Sequence, residues 1–132
     1  HQGYVAAMTA RGLTPEARFI APNAEAAGEE VMRWLAQPDH PRAFITSNGL
    51  LLLGVVKAVR ARGLSIPDEV AMVGFDNDIW TELVGPGLTV IEQPVAEIGR
   101  TAMTLLFERL EHPDMPPRKV VLAGRLVVRG ST

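Results

Sequence analysis

Hydrogen-bonding side chains concentrate in three short runs that follow apolar segments: Pro22-Asn23, Ser47-Asn48 and Gly74-Phe75-Asp76-Asn77-Asp78. An ionised Asp accepts from two hydroxyls, and an Asn carboxamide both donates and accepts, a combination that suits a sugar or a nucleoside. The plainer reading is that Asn and Asp cap the next helix or close Asx turns. That reading is the stronger one for Asn23 taken alone. For Asp76 the order reverses, because it follows an apolar stretch and stands with Asn77 and Asp78. Trp80 lies in the same loop, where its indole either stacks on a ligand ring or packs.

Other chemistries fit less well. Asp76-Asn77-Asp78 matches the D-x-D of haloacid-dehalogenase-type phosphatases, in which one carboxylate is the nucleophile and Mg²⁺ neutralises phosphate. That motif belongs after a first strand and carries a Thr two residues on, where this chain has Trp80, and no later acidic pair completes it. His1, His40 and His112 have no ligand spacing, so no metal site is expected. No P-loop, G-x-S-x-G or G-x-G-x-x-G occurs. The residues point to binding, with no catalytic residue and no cofactor.

The rest of the composition narrows the class. The 132 residues carry 13 Lys+Arg against 15 Asp+Glu, a balance that argues against a nucleic-acid surface within these residues. Cysteine is absent, which excludes a disulfide framework, a thiolate zinc site and a Cys nucleophile. The longest apolar run, Leu50–Val56, is far shorter than the ~20 residues of a membrane span. His1-Gln2-Gly3-Tyr4 enters a helical pattern with no signal-peptide character. The expectation is a soluble, cytoplasmic domain or a piece of one.

Periodicity supplies the elements that must position the polar runs. Helices are predicted over Tyr4–Arg11, Ala24–Ala36, Leu50–Arg62 and Val95–Leu110, and strands over Arg18–Ala21, Ala43–Thr46, Val70–Val73 and Leu88–Glu92. Gly12-Leu13 and Gly63-Leu64 have the form of helix C-caps. Past Gly85-Pro86-Gly87 the alternation loosens, and two strand-like pieces, Val120–Leu122 and Leu126–Val128, close the chain. Alternating helices and short apolar strands predict an α/β fold, a parallel sheet with helices on both faces. Ligands of such sheets bind beyond the carboxyl ends of the strands, where all three polar runs fall.

The motifs in order resemble the effector-binding region of LacI/GalR-type transcription regulators. Gly3-Tyr4 before an Ala-rich helix matches the end of R-x-x-G-[YF], whose Arg would precede residue 1. Ser47-Asn48 with Gly54 resembles N-D-x-x-A-x-G. The run Ile66 to Asn77 follows V-P-x-D-V-x-V-x-G-[FY]-D-[DN], Leu88 to Pro94 follows L-T-T-[IV]-x-Q-P, and Arg129-Gly130-Ser131 follows R-x-S. The resemblance implies a type I periplasmic-binding-protein-like lobe with an incomplete second lobe. Residues 1–87 would form the C-terminal lobe, 88–122 belong to the other lobe, and 123–132 return.

By the same resemblance, Asp76, Asn48 and Asn23 would contact a sugar or nucleoside-like effector, and Trp80, by its place in the Asp76 loop, is a further candidate contact. Gly49 for the family's Asp, and Leu52 for its small Ala, imply a more apolar pocket floor. The implied role is ligand sensing and homodimerisation, with operator DNA met only through an N-terminal helix-turn-helix outside this chain. The alternatives are a periplasmic sugar-binding protein on the same fold and, less favoured, the phosphatase. Two apolar stripes carry further expectations. Ile98, Ala102, Leu105 and Leu106 would pack on the other lobe. The helix over Leu50–Arg62 covers the sheet with Leu52, Val55, Val56 and Val59, yet is apolar nearly all round its first two turns. Its opposite side, with Leu50, Leu53 and Lys57, is the expected dimer interface.

Overall fold

Asn23 and Asn48 start the two helices that build the core. In the computed structural model, which describes residues 1–132, each is extended and its Oδ1 accepts from the amide three residues on. Ala26 N–H lies at 2.8 Å and Leu51 N–H at 2.9 Å. Such bonds satisfy donors that the first helical turn leaves free. The elements run α1 (Gln2–Thr9), α2 (Ala24–Leu35), β1 (Ala43–Ile45), α3 (Gly49–Ala61), β2 (Ala71–Phe75), α4 (Trp80–Leu83), β3 (Thr89–Glu92), α5 (Val95–Glu111) and β4 (Arg125–Val127). Gly12 and Gly63 take the left-handed conformation (φ 69° each) that their positions after α1 and α3 call for.

The strands form one sheet in the order β1-β2-β3-β4, with β1, β2 and β3 parallel. Phe44 stands opposite Met72 and Gly74 opposite Val90, so these four share a face. On that face α3 lays Leu52 against Gly74, so closely that a Cβ on Gly74 would lie 2.3 Å from the Leu52 side chain. Trp34 of α2 stacks on Phe44 at 5.6 Å. Helix α2 crosses α3 at a second glycine: a Cβ on Gly54 would meet Ala24 O at 2.4 Å and Ala27 Cβ at 2.6 Å. The resulting core of Val31, Leu35, Leu52, Val55, Val56, Val59, Val70, Met72, Leu88 and Val90 is fully buried. Each side chain of that size contributes about 1.5–3 kcal/mol relative to exposure.

Ser131 splices β2 to β3. Its carbonyl accepts from Met72 N–H at 2.9 Å, its Oγ donates to Met72 O at 2.7 Å, and the same Oγ accepts from Thr89 N–H at 2.8 Å. All three residues are buried.

Several expectations need correction. Arg18–Ala21 is not a strand: nothing pairs with it, and Phe19 is 83% exposed. A strand needs a neighbour's ladder, and none reaches this stretch. Arg18 instead lies over the Trp34 ring and beside Glu30. Val120–Leu122 likewise pairs with nothing; β4 takes the edge of β3 only over Arg125–Val127, and it runs antiparallel. Helices α2 and α3 share the Met72 face of the sheet. Opposite it, Val73, Phe75 and Ile91 stay half-buried and Ile45 is exposed. Helix α5 buries none of its residues.

Candidate functional site

The carboxyl ends of β1 and β2 open onto a cavity of about 340 Å³ lined by Pro22, Asn48, Gly49, Leu50, Leu53, Asp76, Asp78 and Trp80. Asp76 follows β2 directly and takes φ 71°, a left-handed turn that Asp tolerates better than most residues. Its carboxylate is held from two sides: Oδ2 accepts from Gly49 N–H at 3.3 Å, and Oδ1 accepts from Gln93 Nε2 at 2.7 Å. Gly49 opens α3, so a negative charge there faces the positive end of the helix. Asn48 spends Oδ1 on its cap, and its carboxamide borders the cavity. Trp80 Nε1 donates to Asp78 Oδ2 at 3.4 Å, which places the indole on the rim beside a second carboxylate.

The structure thus brings together Asp76, Asn48 and Trp80 but not Asn23. That side chain is used as the α2 cap, and its neighbour Pro22 reaches the cavity instead. Leu52 does not form the pocket floor either; it is fully buried against Gly74. Gly49 does shape the site, since a Cβ there would lie 3.0 Å from Asp78 Oδ2. Leu50 and Leu53, expected at a subunit interface, line the cavity rim, while Lys57 is exposed one turn on. Residue types alone gave Gln93 no role, although it sits in the Gln-Pro pair after β3. Beside the site, Glu92 is held below the ordinary carboxylate range by a hydrogen bond from Asn77 and then one from Arg125. No three His, Asp or Glu side chains stand together in a way that could hold a metal ion.

A mostly parallel sheet with an acid, a carboxamide and an aromatic around a cavity at its carboxyl edge has the form in which open α/β sheets hold ligands. The chain belongs to the periplasmic binding protein-like domain family, whose sequence pattern matches residues 1–132. Its relatives within that family include bacterial transcription regulators. It is 32% identical over 134 residues to the repressor CytR of Escherichia coli K12, covering 99% of this chain and 39% of that protein. The regulator KdgR of Bacillus subtilis is 35% identical over 94 residues, 71% of this chain and 28% of KdgR. PtxS of Pseudomonas aeruginosa is 42% identical over 92 residues, 70% of this chain and 27% of PtxS.

The fold agrees. A LacI-family regulator of Arthrobacter sp. FB24 in complex with lactose superposes with TM-score 0.84 at 28% identity, over 99% of this chain and 49% of that one. The CelR–cellobiose complex superposes with TM-score 0.89 at 27% identity, over 99% and 41%. The chain therefore spans well under half the length of these curated relatives and at most about half of these solved chains.

Proposed function

We propose that this chain is the effector-sensing and dimerising part of a LacI/GalR-type transcription regulator that works in the cytoplasm and is not an enzyme. The observation that carries the reading is Asp76, an acid in a left-handed turn whose two oxygens are aimed by Gly49 and Gln93 beside Asn48 and Trp80. The sugar complexes of its structural relatives support a sugar or nucleoside-like effector here. At the cavity the D-x-D pair, Asp76 and Asp78, gains no third acid to complete phosphatase chemistry. Operator contact belongs to a helix-turn-helix segment outside these residues. β3 and β4 both stand in this sheet, so the part of residues 88–122 that reaches a second lobe is the stretch around α5, and residues 123–132 bring the chain back.

The test is calorimetric titration of the full-length regulator with a panel of disaccharides, pentoses and nucleosides. Asp76→Ala should weaken the effector that binds by about 1.5–3 kcal/mol, the scale of a hydrogen bond to a charged group, with operator binding retained. An unchanged titration overturns the role of Asp76. These residues alone hold one wall of the cleft, so they should bind the same effector far more weakly.

Dimerisation is assigned to the exposed side of α3. Leu50 is 55% exposed, Leu53 half-buried and Lys57 exposed, on the side that α2 and the sheet leave open. Leu53→Asp in the full-length protein should produce a monomer with intact secondary structure and weak operator binding, since paired half-sites require a two-fold protein. Sedimentation as an unaltered dimer refutes it.

A further inference from the structure

Asn77 stands between two charges of opposite sign. Its Oδ1 accepts from Arg129 Nη2 at 2.7 Å, and its Nδ2 donates to Glu92 Oε1 at 2.9 Å. The other oxygen of Glu92 takes Nε and Nη2 of Arg125 at 2.9 and 2.7 Å, across the β3–β4 ladder. Arg129 is itself held in place. It donates to Leu88 O and Glu82 Oε1, both at 2.8 Å, and its side chain is only 16% exposed. A carboxamide in this position has one orientation, because a flip would set its oxygen against Glu92 and its NH₂ against a guanidinium. The residue immediately before it is Asp76, in its left-handed turn, with its amide donating to Ile91 O of β3 at 3.0 Å.

We propose that Asn77 is the positioning residue of Asp76: by clamping the loop between Arg129 and the Glu92–Arg125 pair, it fixes the turn that presents the Asp76 carboxylate to Gly49 and Gln93. The relay runs from the α4 loop to β3, β4 and the returning segment at Arg129. A shift of those strands against the sheet therefore reaches the carboxylate through one side chain. Asp cannot replace Asn77 here, although the family pattern admits either. It would accept from Arg129 but set a second carboxylate against Glu92. Exchanging the two groups, Asn77→Asp with Glu92→Gln, restores a donor facing an acceptor.

This inference rests on the binding role of Asp76, but its test needs no effector, so the two fail separately. The readout is amide exchange at Gly49 in the ligand-free 132-residue chain, measured by NMR against Val59, which is fully buried in the last turn of α3. Gly49 N–H has Asp76 as its acceptor, whereas Val59 reports opening of the helix as a whole. Asn77→Asp should speed Gly49 exchange about tenfold relative to Val59, a local opening, and the double exchange should bring it back to within about threefold of the parent. Should Asn77→Asp alone fail to fold, thermal melting of the double variant decides. Recovery of a cooperative transition supports the relay, and failure of the double to fold overturns it. Gly49 and Val59 accelerating in step, or no recovery in the double, would make Asn77 an ordinary structural contact and overturn the proposal.

Discussion

Helices α3 and α5 look alike on paper and end differently in space. Both are long, both carry an apolar stripe, and both follow a strand of the same sheet. α3 buries Leu52, Gly54, Val55, Val56, Ala58 and Val59, whereas α5 buries nothing. Ile98, Met103, Leu106, Phe107 and Leu110 of α5 are 42–66% exposed. The difference lies in what surrounds the stripe. α3 has the sheet on one side and α2 on another, each reached through a glycine, Gly74 and Gly54, that removes the side chain in the way. α5 has no such partner among these residues, and no side-chain cap at its N-terminus, where Pro94 stands. An apolar stripe states that a face must be covered. The small residues opposite it state by what.

The sharpest way to break the contrast is to deny α3 its neighbour. Gly54→Val sets new atoms inside contact distance of the Ala24 carbonyl, a backbone atom that cannot turn aside. It should cost at least about 3 kcal/mol, read as a lower urea midpoint with loss of cooperativity. A smaller test removes only the start signal. Asn48→Ala leaves Leu51 N–H without its acceptor and should cost about 1 kcal/mol in the same titration. The smallest effect on stability belongs to α5, where Leu106→Glu should move the midpoint by no more than about 0.5 kcal/mol. The same substitution should nevertheless lower self-association of the 132-residue chain in sedimentation, because it breaks an uncovered apolar stripe. A destabilisation by Leu106→Glu equal to that of Gly54→Val would erase the distinction between the two helices.

Much of this was legible in the residues. Helix starts at Asn23 and Asn48, the left-handed glycines after α1 and α3, and the fully apolar β2 each rest on local chemistry, and each stands within a residue or two of its predicted place. Asp76 was readable for the same reason, since an acid following a buried strand must sit at the sheet's edge. What failed depended on partners. Arg18–Ala21 has strand composition but no ladder beside it. Asn23 and Asn48 share a residue type and make the same cap bond, and only the assembled fold sets Asn48 alone at the cavity. Gln93, Asn77 and Arg129 act across 15 to 52 residues of chain, a separation at which spacing carries no signal.

The splice at Ser131 has a consequence for how the fold is reached. Met72 and Thr89 find their partner 59 and 42 residues further along. Such contacts raise contact order and slow folding, even though each doubling of a closed loop costs only about 0.6 kcal/mol more. On a ribosome the order is imposed: α2, α3 and the first three strands emerge together, while the residue that joins β2 to β3 arrives later. Until then the seam keeps unpaired backbone groups beside a half-covered sheet face, the kind of surface on which nascent chains stick to one another. Residues 93–131 must therefore all be made before the seam that Ser131 closes between β2 and β3 is complete.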